Sequence, residues 1–210
     1  MKPVLKLRTF GSPEARFWLV LPVDAEELTA AEEVYTAVVA NSTKLVYLLA
    51  AAVEDWNRDL SLWEAPPVFG KVPFSGGAEA TRNALLPLLP EDKTLLLGGY
   101  SLAGLFALWT GYETDRFAGV AAVSPSVWYP GWLDYIRTRT PKAKRIYLSL
   151  GDREELAKNR VLASVGDCIR AQYALLEPNT ATLEWNPGNH FRDPWQRTAR
   201  GFLWLLEQLQ

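Results

Sequence analysis

Strands and helices alternate along this chain, which predicts an α/β fold built on a mainly parallel central sheet with helices on both faces. Three observations carry that expectation. The short apolar runs Phe17-Trp18-Leu19-Val20-Leu21 and Thr94-Leu95-Leu96-Leu97 are too short for helices and too apolar for a sheet open to water, so they suit strands covered on both faces. Between such runs lie segments whose apolar residues recur at helical spacing. Finally, the run ending at Leu97 passes through Gly98-Gly99-Tyr100-Ser101 straight into Leu102-Ala103-Gly104-Leu105-Phe106-Ala107-Leu108-Trp109, which is apolar on every side. That order reads as strand, sharp turn and buried helix, with Ser101 at the apex.

Taken in order, Lys2 to Phe10 reads as an edge strand and Gly11-Ser12-Pro13 as the turn after it. Phe17 to Leu21 is the second strand, stopped by Pro22. Asp24-Ala25-Glu26-Glu27 has capping-box spacing, and Leu28, Ala31, Tyr35, Val38 and Val39 recur at helical spacing, so a helix is expected from about Ala25 to Ala40. Lys44 to Ala51 is another buried strand. Residues 53 to 77 mix charges, tryptophans, prolines and glycines without period, and a loop of that length is usually functional. Ala78 to Leu89 reads as a helix ended by Pro87 and Pro90, leading into the Ser101 strand. Phe117 to Val123 is the next strand, followed by an aromatic loop from Ser124 to Trp132. Arg145 to Leu150 forms a strand ending at Gly151, and Val161, Val165, Cys168, Ile169, Gln172, Tyr173 and Leu176 outline a helix. Thr182 to Trp185 is the last strand and runs into Asn186-Pro187-Gly188-Asn189-His190. Asp193, Pro194 and Gln196 supply an N-cap, a first-turn proline and a capping glutamine to a final helix with Ala199, Phe202, Leu203, Leu206 and Leu209 inward. No repeat, linker or composition break divides the chain, so residues 1–210 are expected to form one domain.

Composition narrows the function classes. With 210 residues and 49% apolar content the chain can bury a full core and is too apolar for disorder. Its net charge of -2, with both signs spread along the sequence, gives no footprint for nucleic acid. The start, Met1-Lys2-Pro3-Val4-Leu5-Lys6, lacks an apolar signal core, and no stretch approaches the ~20 apolar residues that span a membrane. A cytoplasmic protein without a membrane partner is the expectation. The lone Cys168 excludes an internal disulfide, and one Cys with one His makes a zinc cluster hard to build, so no cofactor is expected.

The residues around Ser101 give the pattern G-x-S-x-A, close to the G-x-S-x-G nucleophile elbow, whose small neighbours leave room for an abrupt strand-to-helix turn. Such an elbow exposes the serine oxygen above the sheet and sets the N–H of Leu102 beside it at a helix N-terminus. A serine hydroxyl needs an adjacent base, and His190 is the only histidine. An acid should lie between the two in the chain, where Leu150-Gly151-Asp152-Arg153-Glu154-Glu155 supplies three candidates. Chain order leaves Asp152 and Glu154 open. Glu154 follows a turn that can bring its longer side chain back towards the His190 loop. A second oxyanion-hole N–H should come from Leu21-Pro22-Val23-Asp24, and since Pro22 has none to give, Val23 is the candidate. Ligands of such sheets bind beyond the strands' C-terminal ends, where all these loops lie. Trp56, Asn57, Arg58, Asp59, Tyr100, Trp128 and Tyr129 are the candidates to contact substrate there, with Trp63, Trp132 and Trp195 adding to apolar walls. Arg58 and Asp59 either orient a polar substrate group or pair with each other.

Three stretches together carry a resemblance: Asp55-Trp56-Asn57-Arg58-Asp59-Leu60-Ser61-Leu62-Trp63, Gly99-Tyr100-Ser101-Leu102-Ala103-Gly104-Leu105-Phe106-Ala107-Leu108, and Pro187-Gly188-Asn189-His190-Phe191. From about Trp18 to its end the chain resembles the esterase family of α/β-hydrolases that is similar to esterase D, feruloyl esterases and siderophore esterases. The resemblance implies a single-domain α/β-hydrolase that cleaves a small carboxylic ester through an acyl-enzyme, with Ser101 as nucleophile and His190 as base. It also implies Glu154 as the acid, three residues after the glycine that ends its strand. The chain departs from the family in having Ala103 for the usual glycine, no His-Gly oxyanion signature and no inserted lid. A thioesterase or acyltransferase with the same triad, and a silent hydrolase fold that only binds a ligand, are the alternatives.

Overall fold

The computed structural model describes residues 3–68 and 70–209. A seven-stranded sheet runs through it in the order β1-β3-β2-β6-β7-β8-β9, with β1 (Lys6–Gly11) antiparallel to its neighbour and all other pairs parallel. The expected edge strand is thus present. Lys2, where it was expected to begin, lies outside the described residues.

β2 (Phe17–Asp24), α1 (Ala31–Asn41) and β3 (Val46–Val53) form the first crossover. β2 does not stop at Pro22. Its ladder with β6 ends at Val20, so Pro22 lies where one edge of the strand is already open, the place in a sheet that tolerates a missing N–H. The expected helix from Ala25 is split. Asp24 accepts the Glu26 N–H at 3.0 Å, and a 3₁₀ turn over Ala25–Glu27 precedes α1. The region of residues 53 to 77 is mostly irregular, but it holds α2 (Trp56–Asp59), capped by the Asp55 carboxylate, and a two-stranded hairpin of β4 (Glu64–Ala65) and β5 (Phe74–Ser75).

After α3 (Ala78–Leu85) come β6 (Thr94–Tyr100), α4 (Leu102–Glu113) and β7 (Gly119–Val123). α5 (Trp132–Ile136) then begins at the end of the aromatic loop, and β8 (Arg145–Gly151) follows. The expected single helix near Val161 is two, α6 (Arg160–Ala163) and α7 (Val165–Ala174), before β9 (Ala181–Asn186) and α8 (Pro194–Gln208). Asp193 precedes α8 with φ 51° and makes no side-chain cap; its carboxylate instead takes the Arg192 Nε–H. No helix among the described residues is long and apolar enough to cross a membrane.

Strand alternation builds the two cores. Leu95 and Leu97 of β6 face the cluster that includes Leu105 and Phe106 of α4, whereas Leu96 faces the cluster of Val34 in α1 and Phe202 and Leu205 in α8. All of these are buried. The alternation continues into the glycines. A Cβ on Gly98 would lie 2.4 Å from the Phe202 ring, and one on Gly99 would lie 2.2 Å from the Ala103 carbonyl oxygen. The Gly99 collision is with backbone of the turn itself, which no rotamer change relieves. Gly99→Ala is therefore expected to destabilise the fold by about 2–3 kcal/mol, measured as a fall in the urea midpoint. Wild-type stability in that variant would show that the turn relaxes.

Candidate active site

Ser101 sits between β6 and α4 with φ 57° and ψ −120°, a conformation that an L-residue adopts only when its surroundings hold it. They do so through the backbone. The Ser101 N–H donates to the Val123 carbonyl at 3.0 Å, and the Ser101 carbonyl accepts from Ser126 N at 3.0 Å and Leu105 N at 3.1 Å. The hydroxyl is left outside this network, at 3.1 Å from His190 Nε2.

His190 comes from the β9–α8 loop, and its other ring nitrogen, Nδ1, lies 2.7 Å from Glu154 Oε2. A neutral imidazole donating Nδ1–H to that carboxylate turns the Nε2 lone pair to the Ser101 hydroxyl. The two loops are stitched together. Asp152 accepts the Gly188 N–H at 2.8 Å, and Arg153 N donates to the Gly188 carbonyl at 3.1 Å. The structure thus brings Ser101, His190 and Glu154 together and turns Asp152 to the backbone of the histidine loop. Glu155, the third acid of that segment, pairs with Arg170 at 2.9 Å.

Glu154 is 7% exposed, and a carboxylate there needs partners. Besides His190 it accepts from Ser124 Oγ–H at 2.5 Å, Gly151 N at 2.7 Å and Arg197 Nη2 at 3.1 Å. Burial pushes its carboxyl up, yet the bonds and charge of His190, with those from Ser124 and Gly151, outweigh it and hold the group below the ordinary glutamate value.

Sequence reasoning does not reach Arg197 and Ser124. Arg197 on α8 is 1% exposed and contacts Glu154, the Ser124 hydroxyl and, at 2.9 Å, the Tyr100 hydroxyl. Tyr100 in turn donates to the His190 carbonyl at 2.6 Å. Burial, opposed by Arg197, pushes the Tyr100 phenol up to about 12, so it stays a donor. One guanidinium therefore braces both the acid and the histidine loop. A signal for it does exist: Arg197, Gly201 and Leu205 stand four apart on one helix face, and a charge on a buried face requires a partner.

Ser101 and His190 lie where two cavities meet. A smaller one, of about 200 Å³, is bordered by Val23, Glu27, Trp56, Tyr100 and Trp195, and a larger one, of about 710 Å³, by Trp128, Arg153, Leu156 and Leu162. Trp56, Tyr100 and Trp128 thus reach the cleft. The other substrate candidates do not border these cavities. Asp59 is buried, accepts the Glu54 and Asp55 N–H groups and binds Arg58 in a two-pronged pair at 2.7 and 3.1 Å, so these two hold their own loop. Asn57 donates to the Val72 carbonyl, and Tyr129 is buried with its hydroxyl on the Trp63 carbonyl at 2.6 Å. Trp132 is fully buried against Gln172. Leu102 opens α4 beside Ser101, and Val23 borders the smaller cavity. Among the described residues no three His, Cys, Asp or Glu side chains converge as metal ligands.

No protein-family model and no curated protein matches this chain by sequence. Solved structures match it by shape. Siderophore hydrolase EstB from Aspergillus nidulans has a TM-score of 0.68 at 16% identity, with 97% of this chain and 94% of that chain covered. An IroE-like serine hydrolase from Shewanella oneidensis gives 0.70 at 16%, covering 97% and 80%, and the enterobactin hydrolase IroE in complex with DFP gives 0.61 at 14%, covering 97% and 95%. The fold is that of an α/β-hydrolase, and its similar structures include esterases and siderophore hydrolases.

Proposed function

We propose that this chain is a serine esterase that cleaves a small carboxylic ester through an acyl-enzyme. The observation that carries the reading is the line of contacts from Ser101 Oγ to His190 Nε2 at 3.1 Å and from His190 Nδ1 to the buried Glu154 at 2.7 Å. In this reading His190 takes the serine proton as Oγ bonds to the ester carbonyl carbon. The carbonyl oxygen becomes an oxyanion facing the Leu102 N–H, with Val23 as the second donor. Collapse breaks the bond to the alcohol oxygen, which leaves with the proton held on His190 Nε2. Water then repeats the sequence on the acyl-enzyme: His190 takes its proton, the acid departs, and the proton returns to Ser101. Glu154 holds the imidazole tautomer and stabilises the imidazolium without being protonated itself.

A silent fold that only binds a ligand has no need of a strained serine aligned on an imidazole with a buried carboxylate behind it. The test is covalent labelling by a fluorophosphonate followed by a panel of p-nitrophenyl, feruloyl and thioester substrates. Labelling at Ser101 with oxygen-ester turnover is the expected result. Absence of both would sink the reading, and turnover of thioesters alone would make the protein a thioesterase.

A further inference from the structure

The larger cavity, of about 710 Å³, is walled by Trp128, Leu156, Leu162 and Val165, and among the described residues it carries one charged side chain that the Glu154 network leaves unused, Arg153. Arg153 is exposed and, like Arg139 and Arg160, makes no ion pair among the described residues, but of these three it alone borders the cavity. Its backbone is nonetheless fixed. The Arg153 N–H donates to the Gly188 carbonyl at 3.1 Å, its carbonyl accepts from Leu156 N at 3.2 Å, and Glu154 follows it directly in the chain. The side chain therefore springs from a fixed stretch of backbone at the wall of the cavity that Ser101 and His190 also border. The smaller cavity, which shares Ser101 and His190 with the larger, carries Glu27. Apart from Glu154, whose charge is paired with Arg197, the cleft is electrically asymmetric, with a cation at the larger cavity and a carboxylate at the smaller one.

On the ester-hydrolase reading, we propose that the substrate bears a carboxylate on the part that fills the larger cavity, and that Arg153 selects it. A guanidinium at an apolar wall forms stronger bonds to a carboxylate than one in open water, and its planar fork matches the two oxygens. Glu27 repels the same anion from the smaller cavity, which fixes the orientation. The apolar walls call for a hydrocarbon or aromatic spacer between the scissile bond and the charge.

The experiment uses two matched pairs of esters. Mono-p-nitrophenyl adipate against its methyl-capped form places the carboxylate on the acyl side, and 4-acetoxybenzoate against its methyl ester places it on the alcohol side. The readout is the ratio of kcat/KM within a pair, so a variant that slows both members equally leaves it unmoved. In one of the pairs the wild type is expected to prefer the carboxylate by about tenfold at low salt, with the preference shrinking as salt is added. Arg153→Gln is expected to remove the preference and Arg153→Glu to reverse it. No preference in either pair, or a preference that persists in Arg153→Glu, overturns the proposal while turnover of the neutral esters keeps the hydrolase reading. If no ester is cleaved and Ser101 takes no fluorophosphonate, the hydrolase reading fails and this proposal with it.

Discussion

Ser101→Ala is expected to abolish ester hydrolysis and to leave the protein folded. The Ser101 backbone is held by three hydrogen bonds that do not involve its side chain, whereas its hydroxyl faces His190 Nε2. Alanine keeps every backbone bond, keeps the same Cβ at φ 57° and removes only the oxygen that attacks in the proposed mechanism. Thermal unfolding should therefore stay within a few degrees of wild type. The loss of rate is of another order: removing the nucleophile of a serine triad costs up to ~10⁶ in kcat, the remainder coming from the oxyanion donors and binding. Esterase activity in the variant within tenfold of wild type would rule Ser101 out as nucleophile.

The residues that can be read from the sequence are those whose role is written in their neighbours. The apolar run Thr94 to Leu97, the small residues around Ser101 and the apolar helix after it form one continuous local pattern, and the fold follows it from β6 into α4. Pro22 reads as a strand end in the sequence, but its tolerance within β2 depends on where β6 stops pairing with that strand, a fact of another segment. Asp193 has a favourable sequence context for a cap, yet its φ of 51° turns the side chain to Arg192. Arg58 and Asp59 read from the sequence either as a polar pair facing substrate or as partners of each other, and it is the Glu54 and Asp55 N–H groups claiming the carboxylate, together with the Arg58 pair itself, that decide for the second. Arg197 is the clearest case. Its partners Tyr100, Ser124 and Glu154 come from three separate segments, and no local spacing could name them together.

Glu154→Gln is expected to lose at least a hundredfold in kcat and Asp152→Asn less than tenfold. In the proposed mechanism the glutamate, 2.7 Å from His190 Nδ1, accepts the imidazole N–H, and replacing such an acid by its amide has cost ~10⁴ in one triad because the imidazole is held in the wrong tautomer. Asp152 acts on the backbone instead, accepting the Gly188 N–H at 2.8 Å, which an asparagine oxygen can also do. The glutamine variant has a signature in stability as well. Because Glu154 is held below the ordinary glutamate value of 4.5 in the folded protein, the stability from its charge is complete above that value and is lost as pH falls through the folded-state value. A glutamine at this position also leaves Arg197, 1% exposed, without its counter-charge, a loss of up to about 3 kcal/mol at neutral pH. The melting temperatures of wild type and Glu154→Gln should therefore differ most near neutrality and converge as the pH is lowered below 4.5, where the wild-type carboxyl takes up a proton and resembles the amide. Kinetics are measured well below either melt. A gap that stays constant with pH would mean that the carboxylate is not charge-stabilised in the fold. A larger kinetic loss in Asp152→Asn than in Glu154→Gln would move the acid's role to Asp152, and small losses in both would leave Ser101 and His190 working as a dyad.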